Sequence, residues 1–424
     1  MTAWKAPRAS SPVTGDLVVP GSKSTTARGY LLAALADGAS TLCGVLRARD
    51  TDLMRAGLSR LGVRFTDLDD DAVRVSPPAA FRGGAVIDVG LAGTVMRFLP
   101  PIAALASETT RFVGDPAMAD RPVAPLLGAL ADLGAEVSRP YRVPFEVAGG
   151  PAVRGGAVDV DASGSSQFVS GLLLVGARLP EGLIVRHTGS TLPSLPHIEM
   201  TARMLAERGV RIDRPGPATW QVHPGPIAPM DADVEPDLTN AASLLAAAVV
   251  TGGRLVTAWP EHSLQGADAL ADALAAFGAR LAYTGAGASR KLVVQGPDRL
   301  RGADLDLHAI SEFTPVAAAL AALAEEPTTI RGVAHIRHHE TDRLAALERG
   351  IRGLGGQVQQ TEDGLRIEPA PLRGGVFHTY ADHRLAHAGA LLGLVVPDVE
   401  LDDVGCTSKT LPDFPGLWAA LVGR

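Results

Sequence analysis

The chain has 424 residues, is 46% hydrophobic and 20% charged, and carries a formal net charge of −7, so it can build large cores and lacks the basic surplus of a dedicated nucleic-acid binder. Its two cysteines, Cys43 and Cys406, form no CxxC pair and no metal-ligand spacing, and read as free thiols of a reducing compartment. The opening MTAWKAPRASSPVTGDLVVPG lacks the apolar stretch of a signal peptide, and no apolar run approaches the ~18 residues of a membrane span. A cytoplasmic protein with no membrane partner is expected.

One pattern recurs along the chain. A helix-like stretch ends in Gly and gives way to a short β-type alternation, as in LSRLGVRF, ALADLGAEV, MLAERGVRI, ALAAFGARL and GIRGLGGQV. The shared glycines are Gly62, Gly134, Gly209, Gly278 and Gly355, spaced 69 to 77 residues apart, and Gly423 in WAALVGR marks a sixth, truncated copy. A glycine just past a helix can take the left-handed conformation that caps it. Units of this length are small α/β modules rather than solenoid repeats. Six of them suggest two groups of three, with the Pro-rich HPGPIAPMDADVEPD near 223–237 as one crossing and Ser11–Gly15 as another. The expected domains are 16–231, and 1–15 with 232–424, the second taking back the N-terminal strand. NAASLLAAAVV, FTPVAAALAAL and HAGALLGLV are apolar on nearly every face, so helices wrapped by sheets are expected.

Most of these apolar helices open on polar or basic residues, where free N–H groups and the helix dipole favour anions. In chain order, Gly21, Ser22, Lys23 and Ser24 precede Arg28; Gly93 and Thr94 precede Arg97; Arg121 stands before Pro122, read as a first helical residue. Ser165, Ser166 and Gln167 precede another helix, and Ser194 follows in STLPSLPHIEM. Each taken alone is also what a helix cap or a surface charge looks like. The segment around Lys23 lacks the phosphate-binding GxxxxGK spacing. Glu312 heads an apolar helix, where a carboxylate can serve either the helix dipole or general-base chemistry. HIRHHETDRL gathers His335, His338, His339, Glu340, Asp342 and Arg343, but HExxH is absent and no metal is expected. His383 and Arg384 open YADHRLAHAG, and Lys409 lies in CTSKTLPDF.

Together PGSKS with its following Arg, AGTVMR, DRP, GSSQF, ETDR, DHR and SKTLPDF occur in this order from about residue 18 to 415. The chain therefore resembles the 5-enolpyruvylshikimate-3-phosphate synthase family. The resemblance implies a two-domain inside-out α/β barrel with three βαβαββ repeats per domain and an active site in the interdomain cleft. It implies transfer of the enolpyruvyl group of phosphoenolpyruvate to the 5-hydroxyl of shikimate 3-phosphate by addition and elimination, in aromatic amino acid biosynthesis. No cofactor, no metal and no nucleic-acid partner are implied, and a monomer is expected.

Residue by residue, the resemblance assigns phosphoenolpyruvate to Lys23, Gly93, Arg121, Gln167, Arg343, Arg384 and Lys409. It assigns shikimate 3-phosphate to Lys23, Ser24, Arg28, Ser165, Ser166, Gln167, Ser194, Glu312 and His339. Glu312, Glu340 and Lys23 are the catalytic candidates. This chain departs from many family members in having Glu rather than Asp at 312, His339 for Lys, Leu91 for Asn and His197 for Tyr. Leu91 cannot hydrogen-bond through its side chain, and the charge of His339 depends on pH. An enolpyruvyl transferase acting on UDP-N-acetylglucosamine is an alternative, but GDPAMADRP lacks the cysteine usual there. A non-catalytic relative that binds phosphorylated ligands is another, and it would be expected to lose Glu312 or Glu340.

Overall fold

The protein was analysed as a computed structural model, which describes residues 3–423. Twelve α-helices are described: α1 (Lys23–Leu35), α2 (Arg49–Arg60), α3 (Gly93–Ala103), α4 (Ala124–Asp132), α5 (Gln167–Gly176), α6 (Leu195–Glu207), α7 (Leu238–Thr251), α8 (Ala267–Ala276), α9 (Thr314–Ala322), α10 (Arg343–Gly353), α11 (His383–Gly393) and α12 (Phe414–Val422). They alternate in character. The odd-numbered helices are sheathed by protein, and α3, α9 and α11 are buried along their whole length. Such helices have no solvent face to make polar, which is why their sequences are apolar all round.

The repeat is visible in the strands. In five four-stranded sheets an edge strand runs parallel to its neighbour, the third strand is antiparallel, and the fourth closes a hairpin with the third. Each hairpin follows an even-numbered helix, and the turn between them carries the marker glycine. Gly62, Gly134, Gly209, Gly278 and Gly355 have φ of 101°, 99°, 80°, 99° and 92°, a region that costs a side chain and not a glycine. The sixth marker differs. Gly423 follows α12 with φ −85°, outside the left-handed region that the other five markers occupy.

Three sheets are completed by strands distant in sequence. Thr14–Leu17 lies parallel to Arg254–Ala258, Ala232–Asp233 lies parallel to Ser40–Cys43, and Trp4–Lys5 lies antiparallel to Val399–Leu401 in the three-stranded sixth sheet. These pairings set the limits of the compact units, which are Gly21–Glu235 and, as the other, 3–20 with 236–423. Both limits lie further along the chain than the expected 15/16 and 231/232, by five and four residues. Asp16 and Leu17 pair with the strand at 254–258, and Ala232 and Asp233 with the strand at 40–43.

Each unit has its own apolar core. In the Gly21–Glu235 unit, α5 packs against both α1 and α3, and Leu31, Phe98, Leu99, Phe168, Leu172 and Trp220 are buried among them. In the other unit α7, α9 and α11 pack pairwise, around Leu244, Leu245, Leu320, Leu391 and Phe313. Each such large apolar side chain contributes about 1.5–3 kcal/mol on burial. The result is that the N-termini of the buried helices, with their polar openings, are held on stiff supports.

Candidate functional site

The Gly21–Glu235 unit carries one set of the expected residues. Ser22 caps α1 by accepting from Thr25 N, and Lys23, the first helical residue, lies 3.6 Å from the buried carboxylate of Asp50. Arg28, one turn further on, is buried. Its Nε donates to Thr201 Oγ1 at 2.7 Å, and its terminal nitrogens donate to the carbonyls of Ser24 and His197, both at 3.1 Å. Burial lowers its pKa to about 9, and its guanidinium lies 5.1 Å from the Phe98 ring centre. Arg28 thus ties α1 to α6. The His197 carbonyl, also bonded by Thr201 Oγ1, serves this junction whatever side chain stands at 197.

At the start of α3 the backbone and two arginines crowd together. A Cβ added to Gly93 would stand 3.0 Å from an Arg121 terminal nitrogen and 3.2 Å from one of Arg97. Only a glycine lets both guanidinium groups lie so close to the helix N-terminus. Arg121 donates to the Leu91 carbonyl at 3.2 Å, so position 91 contributes through its backbone although its side chain cannot. Arg97 donates twice to the Pro122 carbonyl and, at 3.0 Å, to Gln167 Oε1. Pro122 is not the first residue of a helix as expected. α4 begins at Ala124 and Pro125 occupies its first turn, leaving the Pro122 carbonyl free to accept from Arg97.

Ser165 Oγ accepts from Gln167 N at 3.3 Å, and Ser166 precedes α5 without making a side-chain cap. Ser194 precedes α6 in the left-handed conformation, φ 51° and ψ 47°, again with no cap bond. A serine held in that region is strained by about 1–3 kcal/mol, a feature found where a side chain must point a set way.

The other unit assembles the second set around Arg343, the first residue of α10 and completely buried. Asp382 takes two of its hydrogen bonds, from Nε at 2.7 Å and from a terminal nitrogen at 3.2 Å. Glu312 and Glu340 each accept at 3.0 Å, and His339 Nδ1 lies 2.9 Å from Nη1, the nitrogen that also donates to Glu312. Glu340 also receives Lys409 Nζ, and Arg384 Nε stands 3.4 Å from Glu312. Arg384 donates to Asn240 Oδ1 at 2.7 Å. Glu312 lies not in the helix but in the 3-10 turn His308–Phe313 that leads into α9, and Lys409 in the 3-10 turn Gly405–Lys409.

The electrostatics follow from this packing. Burial works to raise the Glu312 carboxyl, but the neighbouring Arg343, with Arg384 further off, outweighs it and holds Glu312 well below the usual range. Glu312 is therefore ionised, and with its side chain one-third exposed it is open to solvent as well as paired. Burial pushes His339 down to about 3, with the Arg343 charge acting in the same direction. A neutral His339 matches its geometry, because a ring nitrogen facing an Arg donor must be an acceptor. The proton then sits on Nε2, so His339 remains a donor there without being a cation. Among the described residues, no three of the His, Cys, Asp and Glu side chains are placed to hold a metal ion.

With this arrangement in view, comparison with known proteins is decisive. Residues 7–418 match the sequence model of the family described as EPSP synthase (3-phosphoshikimate 1-carboxyvinyltransferase). The chain belongs to the EPSP synthase family. Two EPSP synthase structures from Acinetobacter baumannii match it with TM-scores of 0.79 and 0.78, covering 100% of this chain and 97% of each of theirs. Both are 22% identical in sequence, so that likeness is one of fold, and it is the enolpyruvyl transferase fold. The EPSP synthase activity, enolpyruvyl transfer in the shikimate pathway towards aromatic amino acids, is the activity of this chain, with shikimate 3-phosphate and phosphoenolpyruvate as substrates. No helix is long and apolar enough to cross a membrane among the described residues.

Several residues of these clusters were not assigned a role by the sequence. Asp382 stands inside the DHR string, and its acidic character beside Arg384 was a usable signal. Asp50, Thr201 and Asn240 had none, because each meets its arginine or lysine partner only through folding.

Proposed function

We propose that the residues of the two units divide the reaction as follows. Lys23, Arg121, Arg343, Arg384 and Lys409 hold the phosphate and carboxylate of phosphoenolpyruvate, with Gly93 allowing the backbone and Arg121 to approach and Gln167 touching both substrates. Ser24, Arg28, Ser165, Ser166, Ser194 and His339 hold shikimate 3-phosphate, His339 as a neutral donor through Nε2. Arginine forks suit such oxyanions because they donate two parallel hydrogen bonds.

Glu312 acts as the base. It takes the proton of the substrate 5-hydroxyl as that oxygen bonds to the central carbon of phosphoenolpyruvate. The methylene carbon gains a proton through Glu340, with Lys23 assisting. The tetrahedral adduct then returns that proton, the carbon–oxygen bond to phosphate breaks, and inorganic phosphate leaves. No phosphoryl group is transferred in these steps. The protein is proposed to act in the cytoplasm as a monomer, without nucleic-acid or membrane partners.

The observation that carries this reading is the Arg343 cluster, where an ionised and partly exposed Glu312 sits beside Glu340 and three cations. A protein that only bound phosphorylated ligands would need the cations and not the two carboxylates. The test is inorganic phosphate release from phosphoenolpyruvate in metal-free buffer, with and without shikimate 3-phosphate. Release only with both supports the assignment; binding of both without release favours a non-catalytic relative.

A further inference from the structure

In the cluster around Arg343 the charges nearly cancel. Arg343, Arg384 and Lys409 face Glu312, Glu340 and Asp382, and Arg343 and Lys409 each make short contacts with carboxylates. Arg384 is treated differently. Its shortest side-chain bond, 2.7 Å, goes to the neutral amide oxygen of Asn240, and Glu312 is more distant at 3.4 Å. Asn240 is fully buried in the first turn of α7, a helix whose other polar side chains are the hydroxyls of Thr239, Ser243 and Thr251, and Asp237 pins that turn by accepting from Asn240 N at 2.9 Å. The Asn240 amide nitrogen faces the carbonyl of Thr410, next to Lys409, at 3.5 Å. One buried amide therefore bonds the guanidinium of Arg384 and the backbone of the residue after Lys409.

We infer that Asn240 is a positioning residue for anion recognition, orienting the Arg384 guanidinium with a neutral acceptor so that its charge stays available to an incoming phosphate or carboxylate. A carboxylate at 240 would bind the guanidinium more strongly but cancel the charge the ligand needs. An aliphatic residue would leave a buried Arg donor and the Thr410 carbonyl without their partner. The inference rests on the assignment of Arg384 to phosphoenolpyruvate.

The test is Asn240→Asp, which keeps the shape and the acceptor towards Arg384, adds one charge and gives up the long 3.5 Å bond to the Thr410 carbonyl. Phosphate release should show a KM for phosphoenolpyruvate raised about tenfold or more, the scale of one added charge at close range in a partly screened site. The KM for shikimate 3-phosphate and the thermal midpoint should stay near wild type. Asn240→Ser, a shorter neutral acceptor, should give a smaller rise and guards against failure of the Asp variant to fold. If the wild-type protein releases no phosphate, the functional reading fails. Calorimetric binding of phosphoenolpyruvate to wild type and variants then decides the role of Asn240 separately. An unchanged KM and Kd for phosphoenolpyruvate in Asn240→Asp overturns the inference. So does an equal loss for both substrates that tracks a lowered thermal midpoint. Should the Asp variant not fold, wild-type phosphoenolpyruvate affinity in Asn240→Ser overturns it, and weakened affinity with an unchanged midpoint supports it.

Discussion

Arg343 and Asp382 meet through two hydrogen bonds, of 2.7 and 3.2 Å, with neither side chain exposed to solvent at all. Asp382 also accepts from the backbone of Arg384 at 2.9 Å, so one carboxylate fixes the start of α11 and the guanidinium at the start of α10. A buried pair of this kind gives orientation more than net stability, but losing one partner is costly. Asp382→Ala should lower unfolding free energy by roughly 3 kcal/mol, measured by urea denaturation, because Arg343 would lose two hydrogen bonds and its one fully buried counter-charge and keep only Glu312 and Glu340. Asp382→Asn keeps the shape and should cost less.

Glu312→Gln removes the proposed base while keeping the size of the side chain. Turnover should fall by roughly 10²–10⁴-fold, the usual contribution of general-base catalysis. Binding of shikimate 3-phosphate, followed by calorimetry, should be largely retained. Near-normal turnover would refute the role.

Gly93→Ala puts a methyl group against the ends of two side chains rather than against backbone. The helix position itself tolerates alanine, so stability should change by less than about 1 kcal/mol. Arg121 has to shift, however, and the KM for phosphoenolpyruvate should rise while that for shikimate 3-phosphate holds. Steady-state kinetics with each substrate varied in turn checks this.

Stability should depend on the histidines near Glu312. Burial lowers His335 from 6.5 to about 4, and its Nε2 lies 2.9 Å from Ser311 Oγ. His339 falls to about 3 for the same reason, reinforced by Arg343. Between pH 6.5 and these values the unfolded chain binds protons that the folded one does not. The contribution is therefore complete above pH 6.5 and declines as pH falls towards 4 and then 3. The thermal midpoint should drop over that window, and His335→Gln should flatten the upper part of the drop.

Much of this protein is determined by its sequence alone. The marker glycines repeat because a left-handed turn between an outer helix and its hairpin recurs, and glycine alone takes it without strain. The apolar inner helices announce their burial because a helix with no polar side has nowhere else to go. The ordered motifs name the family because its chemistry needs cations and carboxylates at helix starts. Tertiary structure decided the rest, since it depends on pairs far apart in the chain. Trp4–Lys5, Thr14–Leu17 and Ala232–Asp233 complete sheets whose other strands lie more than a hundred residues away, so no local pattern shows which strand each of them pairs with. The neutral state of His339 comes from its burial, reinforced by an Arg343 donor aimed at its ring, and the role of Asn240 from an arginine 144 positions away. An isolated His or Asn codon carries no trace of such a neighbour; only packing brings the partner within hydrogen-bond reach and removes the water that would otherwise compete for it.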